Sequence, residues 1–341
     1  MPRWLARPTE LREAGILGIN RRNLDYILEL NPRRHYPRVD NKLHTKRVCE
    51  ERRIPVPPTY AVLESHGDVQ HFRELVRERE DFVIKPARGA AGRGVMVIAE
   101  RDGDLYVTPS GRRLRWGEVR YHLSTVISGL HSLGGRHDHA IVEQRIVTHP
   151  ALDRVAVEGT PDVRVILCRG VPVMAMLRLP TRSSGGRANL HQGAIAAAVN
   201  LLTGSTYGGV CRNRVLDAHP DTHHAIAGIE LPDWRRLLDA AMRLSDALEL
   251  GYLGVDFVID AQAGPVVLEA NARPGLAIQV ANRLGLLPRL DQVRRLPDWR
   301  TEGEHRWGVL EEFAREQAAP PAQPMPPISP TASPDADARG V

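Results

Sequence analysis

The chain has 341 residues, 42% of them hydrophobic and 26% charged, so it is long enough for two domains or one multi-lobed domain of ordinary globular composition. The net charge of +5 allows a polyanionic partner, but the basic residues form no single block and aromatics are only 5%, too few for base stacking; an anionic small molecule or acidic peptide is expected rather than nucleic acid. No apolar run approaches the roughly 20 residues of a membrane span, the N-terminus lacks a signal-peptide core, and Cys49, Cys168 and Cys211 show neither disulfide nor zinc spacing, so a cytoplasmic chain with buried filler cysteines is expected.

Residues 11–36 carry a helical pattern around Leu24, Ile27 and Leu28 and are rich in arginine. A helix opens at Asp40-Asn-Lys-Leu-His-Thr-Lys46 and ends near Arg53, because the following Ile54-Pro-Val-Pro-Pro cannot be helical. Asp68 reads as the N-cap of a helix over 69–79. Asp81-Phe-Val-Ile-Lys-Pro86 reads as a buried strand ending in Lys85. Arg88-Gly-Ala-Ala-Gly-Arg-Gly94 then turns into a second strand, Val95–Ile98. Its glycines let backbone N–H groups approach phosphate oxygens, and Lys85 adds a compact positive charge. The strand-turn-strand order distinguishes it from the strand-to-helix Gly-Lys-Ser/Thr loop.

Arg101–Asp104 is a hairpin turn, and a helix over 116–130 buries Val119, Leu123, Val126, Ile127 and Leu130. His131, His137 and His139 lie in a polar loop without helical ligand spacing. Ala140–Val147 is a strand carrying Glu143, Gln144, Arg145 and Ile146. Pro161–Arg178 is a hairpin turning at Arg169-Gly170, with Asp162 and Arg164 on one face. A flexible Ser183–Gly186 segment leads into Arg187-Ala-Asn-Leu-His-Gln-Gly193, and Ser183 has no His/Asp arrangement that would make it a nucleophile. Residues 201–207 read as a polar turn, 232–250 as a strongly amphipathic helix, and 276–284 as a short one.

Gly254–Gly275 is the stretch around which the rest is arranged: two apolar runs flanking a Gly-containing turn read as a hairpin. Asp256 lies near the start of its first strand, and Glu269 and Asn271 share a face at the end of the second, while Val255, Phe257, Leu268 and Ala270 point to a core. Two carboxylates and an amide oxygen on one face suit Mg²⁺ or Mn²⁺ completed by phosphates and water. Asp260, near the turn, is expected to be silent on substitution. Seven prolines between Pro320 and Pro334 predict a disordered tail, dispensable after about Gln317.

Asp256, Glu269 and Asn271, in this order and spacing, resemble the metal-binding end of the ATP-grasp ligases, and the surrounding residues are most similar to the glutamate-ligase branch with the RimK-type enzymes. The resemblance runs over roughly residues 40–290. It implies an α+β ATP-grasp fold in which two α/β lobes clasp ATP, with a short N-terminal segment in place of a full preceding domain. The organisation implied is a basic arm over 1–39, a small lobe with the Gly-rich flap over 40–140, a large lobe with the metal site over 141–298, and an extension over 299–341.

By the same resemblance the first nucleotide lysine is Lys42, with Lys46 competing. Lys85, Gly89, Gly92 and Gly94 hold phosphates, and Glu143, Gln144, Arg145 and Ile146 form the hinge that reads the adenine and ribose. Asp162, Arg164 and Arg178 line the ATP and substrate pocket. Arg187 and Asn189 belong to an Arg-x-Asn-Leu-His-x-Gly stretch beside the transferring phosphoryl group. Arg187, Lys85 and Arg164 are the implied catalytic residues, and Asp256, Glu269 and Asn271 the metal ligands.

The implied reaction is ATP-dependent amide formation through an acyl-phosphate. Glutamate or an acidic peptide would be one substrate and an amine the other, in a possible homo-oligomer. An ATP-grasp kinase and a non-enzymatic nucleic-acid-binding protein are the alternatives.

Overall fold

The computed structural model describes residues 7–89, 92–132 and 134–318. The expected disordered tail and flap residues Ala90 and Ala91 lie outside them. No helix among the described residues is long and apolar enough to cross a membrane.

Two antiparallel sheets carry the architecture. The smaller has strand order β1 (Thr59–Leu63), β7 (Ala140–Glu143), β2 (Phe82–Pro86), β3 (Met96–Ile98). Beside it stands a three-stranded ribbon of β4 (Glu100–Asp102), β5 (Leu105–Val107) and β6 (Arg113–Leu114). The larger sheet runs β12 (Arg214–Leu216), β11 (Thr206–Cys211), β10 (Ile195–Val199), β9 (Val171–Leu179), β8 (Asp162–Cys168), β13 (Tyr252–Asp260), β14 (Gly264–Asn271). Each sheet has its own core. Phe72 stacks on Trp116 and meets Phe82 edge-on in the small one, and the helix Trp234–Leu248 lays Leu237, Leu238, Ala241, Leu244 and Leu248 into the large one.

The 140/141 boundary falls inside a strand: β7 pairs with β1 on one side and β2 on the other, within the small sheet. The helix Lys42–Glu51 packs with the large core through Cys49. The basic arm also belongs to that core, through buried Tyr26, Ile27 and Tyr36. Asn31 fastens it by donating to the carbonyls of Tyr252 (2.7 Å) and Ala272 (3.2 Å) and accepting from Tyr252 N–H. Cys49 and Cys168 are buried, as expected of filler, and Cys211 is partly so.

Several local expectations need correction. Residues 22–28 are wound as a π-helix, whose wider turn puts Tyr26 and Ile27 inside and leaves Leu24 and Leu28 exposed. Ser65, not Asp68, is the N-cap of the helix His66–Leu75, and Asp68 closes the capping box at N3. The helix from Trp116 stops at Ile127, and Gly129 with φ of 82° turns the chain, so Leu130 is exposed. Tyr207 sits in β11, not in a turn. The helices Leu287–Arg295 and His305–Ala318 complete the described chain.

Candidate active site

The hairpin β13–β14 is built as expected, with one irregularity that matters. Asp256 pairs opposite Glu269 but Phe257 pairs opposite Val267, so Leu268 is a β-bulge residue. That explains why Leu268 is only partly buried, whereas Val255, Phe257 and Ala270 are core residues. The bulge sets the two acidic residues opposite each other in the ladder, a common device for re-aiming a side chain beside a site. Asp256 lies mid-strand, because β13 begins at Tyr252.

Asp256 is buried and does not stand free. Its carboxylate accepts from Arg164 Nε at 2.6 Å and from a second Arg164 nitrogen at 2.5 Å, and Arg178 lies 2.9 Å away. Arg178 also clamps Asp162, in part at 2.8 Å. Register explains the ladder: Asp256 lies opposite Arg164 between β13 and β8, and Asp162 opposite Arg178 between β8 and β9. The two carboxylates are driven apart. Burial, with the charge of Asp256, pushes Asp162 up to about 7 against the pull of Arg178. Burial would raise Asp256 as well, but Arg164 and Arg178 outweigh it and hold it well below the usual carboxylate range.

Glu269 and Asn271 stand on the open side of this ladder. Asn271 Nδ2 donates to Glu269 Oε1 at 3.2 Å, and Lys42 Nζ lies 3.6 Å from the other oxygen of Glu269. Lys42 Nζ also donates to the Gly89 carbonyl at 2.5 Å, so one ammonium links the Gly-rich turn to the end of β14. Burial pulls the Lys42 amine down and Glu269 acts against it.

Lys46, one helical turn on, goes elsewhere. It donates to the Pro57 carbonyl at 2.6 Å and to Glu143 Oε2 at 2.5 Å, while Lys85 takes Glu143 Oε1. Burial lowers Lys46 and Glu143 opposes it; burial would raise Glu143, but Lys85 and Lys46 together hold it down.

The Gly-rich turn is shaped by groups that sequence reasoning misses. Asp138, almost fully buried, accepts from the backbone N–H of Arg88 and His139 and from the Ser132 hydroxyl. Its signal is weak: one acid in a Gly/His loop, acting on a turn fifty positions away. Gly92 and Gly94 have φ of 70° and 74°, and a Cβ on Gly94 would lie 2.6 Å from the His131 ring. His122 also bonds the Gly94 carbonyl, at 3.1 Å.

Other expected residues fall outside the cluster. Arg145 turns away to Asp81 at 2.9 Å, and Gln144 is bound through its backbone to Pro58. β7 ends at Glu143, so Gln144, Arg145 and Ile146 lie beyond the strand. Asn189 caps its own short turn by accepting from His191 N–H. Arg187 is exposed, with no ion-pair partner among the described residues. Asp260 is buried and accepts from the N–H groups of Gln262, Ala263 and Val147, tying the segment after β7 to β13, so its substitution is expected to cost stability.

The donor set fits a hard divalent cation. Glu269 and Asn271 present oxygens beside Lys42, and Asp256, with three guanidinium contacts on a carboxylate of about four acceptor positions, has one left to give. Among the described residues no three His, Cys, Asp or Glu side chains form a ready-made metal cluster, so phosphate and water would complete the coordination. Two surface cavities, about 470 Å³ beside Tyr121 and Leu130 and about 640 Å³ beside Arg236 and Arg243, include none of Lys42, Lys85, Glu143, Asp256, Glu269 and Asn271, although His122 and His131 beside the Gly-rich turn line the first.

Comparison with known families identifies the fold. The model of the sugar-transfer associated ATP-grasp family matches residues 21–295. The chain belongs to that family. The α+β ATP-grasp fold expected from the sequence is therefore the fold of this chain, and its family is described by sugar transfer. No curated protein matches this ATP-grasp chain.

Among solved structures it is similar to the ATP-grasp ligase PsnB complexed with a minimal precursor, with 16% identity over 78% of this chain and 63% of that one, at a TM-score of 0.44. It is also similar to D-alanine–D-alanine ligase from Bacillus anthracis complexed with ATP (17% identity, 82% and 68% coverage, TM-score 0.43). A third is biotin carboxylase from Campylobacter jejuni (15% identity, 77% and 48% coverage, TM-score 0.48). The chain thus spans less than two thirds of PsnB, and these likenesses carry no argument about activity.

Proposed function

We propose that this ATP-grasp protein is an ATP-dependent ligase that joins a carboxylate to an amine. The observation that carries the reading is the Lys42 bridge: a single ammonium touches both the Gly-rich turn and Glu269, the two halves of a phosphate-and-metal site far apart in sequence. Lys42 and Lys85 would hold the phosphates against the turn, and Glu269, Asn271 and the remaining position of Asp256 would hold Mg²⁺ or Mn²⁺. The metal, when bound, neutralises phosphate charge.

The carboxylate oxygen of the first substrate attacks the γ-phosphorus. An acyl-phosphate forms and ADP leaves. The amine then adds to the acyl carbon, phosphate departs, and the amine gives up a proton. These steps need no covalent nucleophile from the protein; the side chains position the reactants and neutralise charge. Arg164, set in the Asp256–Arg178 ladder, orients the face on which transfer occurs, and exposed Arg187 supplies charge for an anionic substrate group. Arg187, without an ion-pair partner among the described residues, supports the finer reading that glutamate or an acidic peptide is one substrate. The family's description adds sugar-bearing acceptors to the classes to try.

The test is incubation with ATP, Mg²⁺, pooled carboxylates and hydroxylamine, followed by mass spectrometry. ADP together with a hydroxamate is the expected result. ADP with a stable phosphorylated alcohol would identify a kinase instead, and no nucleotide turnover with any pool would overturn the ligase reading.

A further inference from the structure

Phosphate binding alone does not explain why Lys85 is paired with a buried carboxylate. Lys85 is held by one oxygen of Glu143, so a phosphate has to compete with that carboxylate for the ammonium. The other oxygen takes Lys46 at 2.5 Å. All three groups are almost fully buried, with exposures of 5% for Lys46, 7% for Lys85 and 3% for Glu143. Lys46 comes from the helix that packs on the large core, whereas Glu143 and Lys85 lie on neighbouring strands of the small sheet.

Two cations sharing one carboxylate have a consequence for ligand binding. If Lys85 were the sole partner of Glu143, moving its ammonium to a phosphate would strand a buried, unpaired carboxylate, which is strongly unfavourable. Lys85 would then stay where it is. With Lys46 fixed to the second oxygen and anchored on the Pro57 carbonyl, Glu143 keeps a counter-charge after Lys85 leaves. The long lysine stem and its point charge suit Lys85 to such an exchange.

We propose that Lys46 is a positioning residue that retains Glu143 so that Lys85 can change partner from carboxylate to nucleotide phosphate. The inference rests on the nucleotide-site reading of Lys85. It separates the two helix lysines: Lys42 faces the turn and Glu269, whereas Lys46 serves the carboxylate behind Lys85.

Calorimetric titration with a non-hydrolysable ATP analogue and Mg²⁺ tests this on the full chain, with circular dichroism and melting to verify each variant. Lys46→Met is expected to bind about tenfold more weakly, a change of about 1.4 kcal/mol. Adding Glu143→Gln to Lys46→Met is expected to restore affinity to within about threefold of the parent, because a neutral amide does not retain Lys85. In a Lys85→Ala/Glu143→Gln background Lys46→Met should have no further effect, since there is neither an ammonium to release nor a carboxylate to retain it.

Parent-like binding by Lys46→Met, or a loss that Glu143→Gln does not relieve, overturns the proposal and leaves Lys46 a structural ion-pair partner. Should Lys46→Met fail to fold, Glu143→Gln alone decides. Affinity equal to or above the parent's supports the exchange; a tenfold loss makes Glu143 a nucleotide contact and overturns it. A parent that binds no nucleotide overturns the nucleotide reading and this inference with it, whereas a parent that binds while the variants behave additively overturns this inference alone.

Discussion

Asp256→Asn separates the structural work of the metal-end residues from their expected role toward the cation. The carboxylate is 2% exposed and receives three guanidinium contacts, at 2.5, 2.6 and 2.9 Å. An asparagine keeps one acceptor oxygen and turns a donor NH₂ toward a guanidinium N–H, so Arg164 and Arg178 lose a counter-charge inside the sheet. Breaking a buried ion pair from one side costs about 3–5 kcal/mol. At about 2 °C per kcal/mol for a chain of this size, the melting temperature should fall by roughly 6–10 °C.

Glu269→Gln should behave otherwise. Its side chain is 31% exposed and its nearest cation, Lys42, is 3.6 Å away, so about 1 kcal/mol or less is at stake. The two substitutions, equivalent by motif, are therefore expected to differ strongly in stability. The pH dependence carries a sign. Asp256 has its carboxyl held below its ordinary value of 3.8, so its contribution is fully present above that value and is lost as pH falls through the lower folded-state value. The gap between parent and Asp256→Asn should be complete at pH 7 and shrink below pH 3.8. Thermal and urea unfolding across pH measure both. An Asp256→Asn protein that melts within about 2 °C of the parent at neutral pH refutes the ladder as a structural element.

Three further outcomes are expected. Lys85→Ala should weaken binding of an ATP analogue by about 1.5–3 kcal/mol in calorimetry, and unchanged affinity would remove Lys85 from the site. Glu269→Gln should keep the fold and lower kcat by about tenfold or more while weakening ATP binding less, read from ATP consumption across a Mg²⁺ series; parent-like turnover would discard the metal assignment. Asp162, with its carboxyl raised from 3.8 to about 7, binds its proton more tightly folded than unfolded, so it removes stability as pH rises across that window. The melting temperature of Asp162→Asn should accordingly gain on the parent's between pH 4 and 7, and parallel profiles would show that Asp162 does not titrate there.

Much of the fold is legible in the sequence because it rests on local patterns. The helix over 234–248 shows its apolar stripe directly, the hairpins at Arg169-Gly170 and around Gln262 are marked by turn residues flanked by apolar runs, and the Lys85–Gly94 strand-and-turn order is contiguous. The elements that depart from expectation are those in which something non-local decides. The π-helical winding at 22–28 reverses which of its leucines face water, because Tyr26 and Ile27 are drawn into a core made by β13 and the helix Leu287–Arg295. Leu268 leaves the core because of a bulge that no alternation rule contains. β7 straddles the expected lobe boundary because its partners β1 and β2 lie eighty and sixty positions earlier.

The site shows the same division more sharply. Residue types and spacing single out Lys85, Asp256, Glu269 and Asn271 as candidates, and the family resemblance adds Lys42 and Glu143; each stands at the end or middle of a strand or helix. Their pairing is not legible. Lys42 and Lys46 are equivalent by periodicity, one helical turn apart, and either satisfies the pattern of a nucleotide lysine. They are distinguished only by depth: the first turn of the helix reaches the Gly89 carbonyl and Glu269, and the second reaches the floor of the small sheet at Glu143. Asp256 shows the same limit. Its motif assigns it to a cation, yet the register of β13 against β8 delivers Arg164 to it before any metal arrives, and β9 adds Arg178. A carboxylate already neutralised by two arginines binds Mg²⁺ only weakly by itself. Metal affinity should therefore reside in the nucleotide complex, with the phosphates supplying the charge that Asp256 has spent on the sheet.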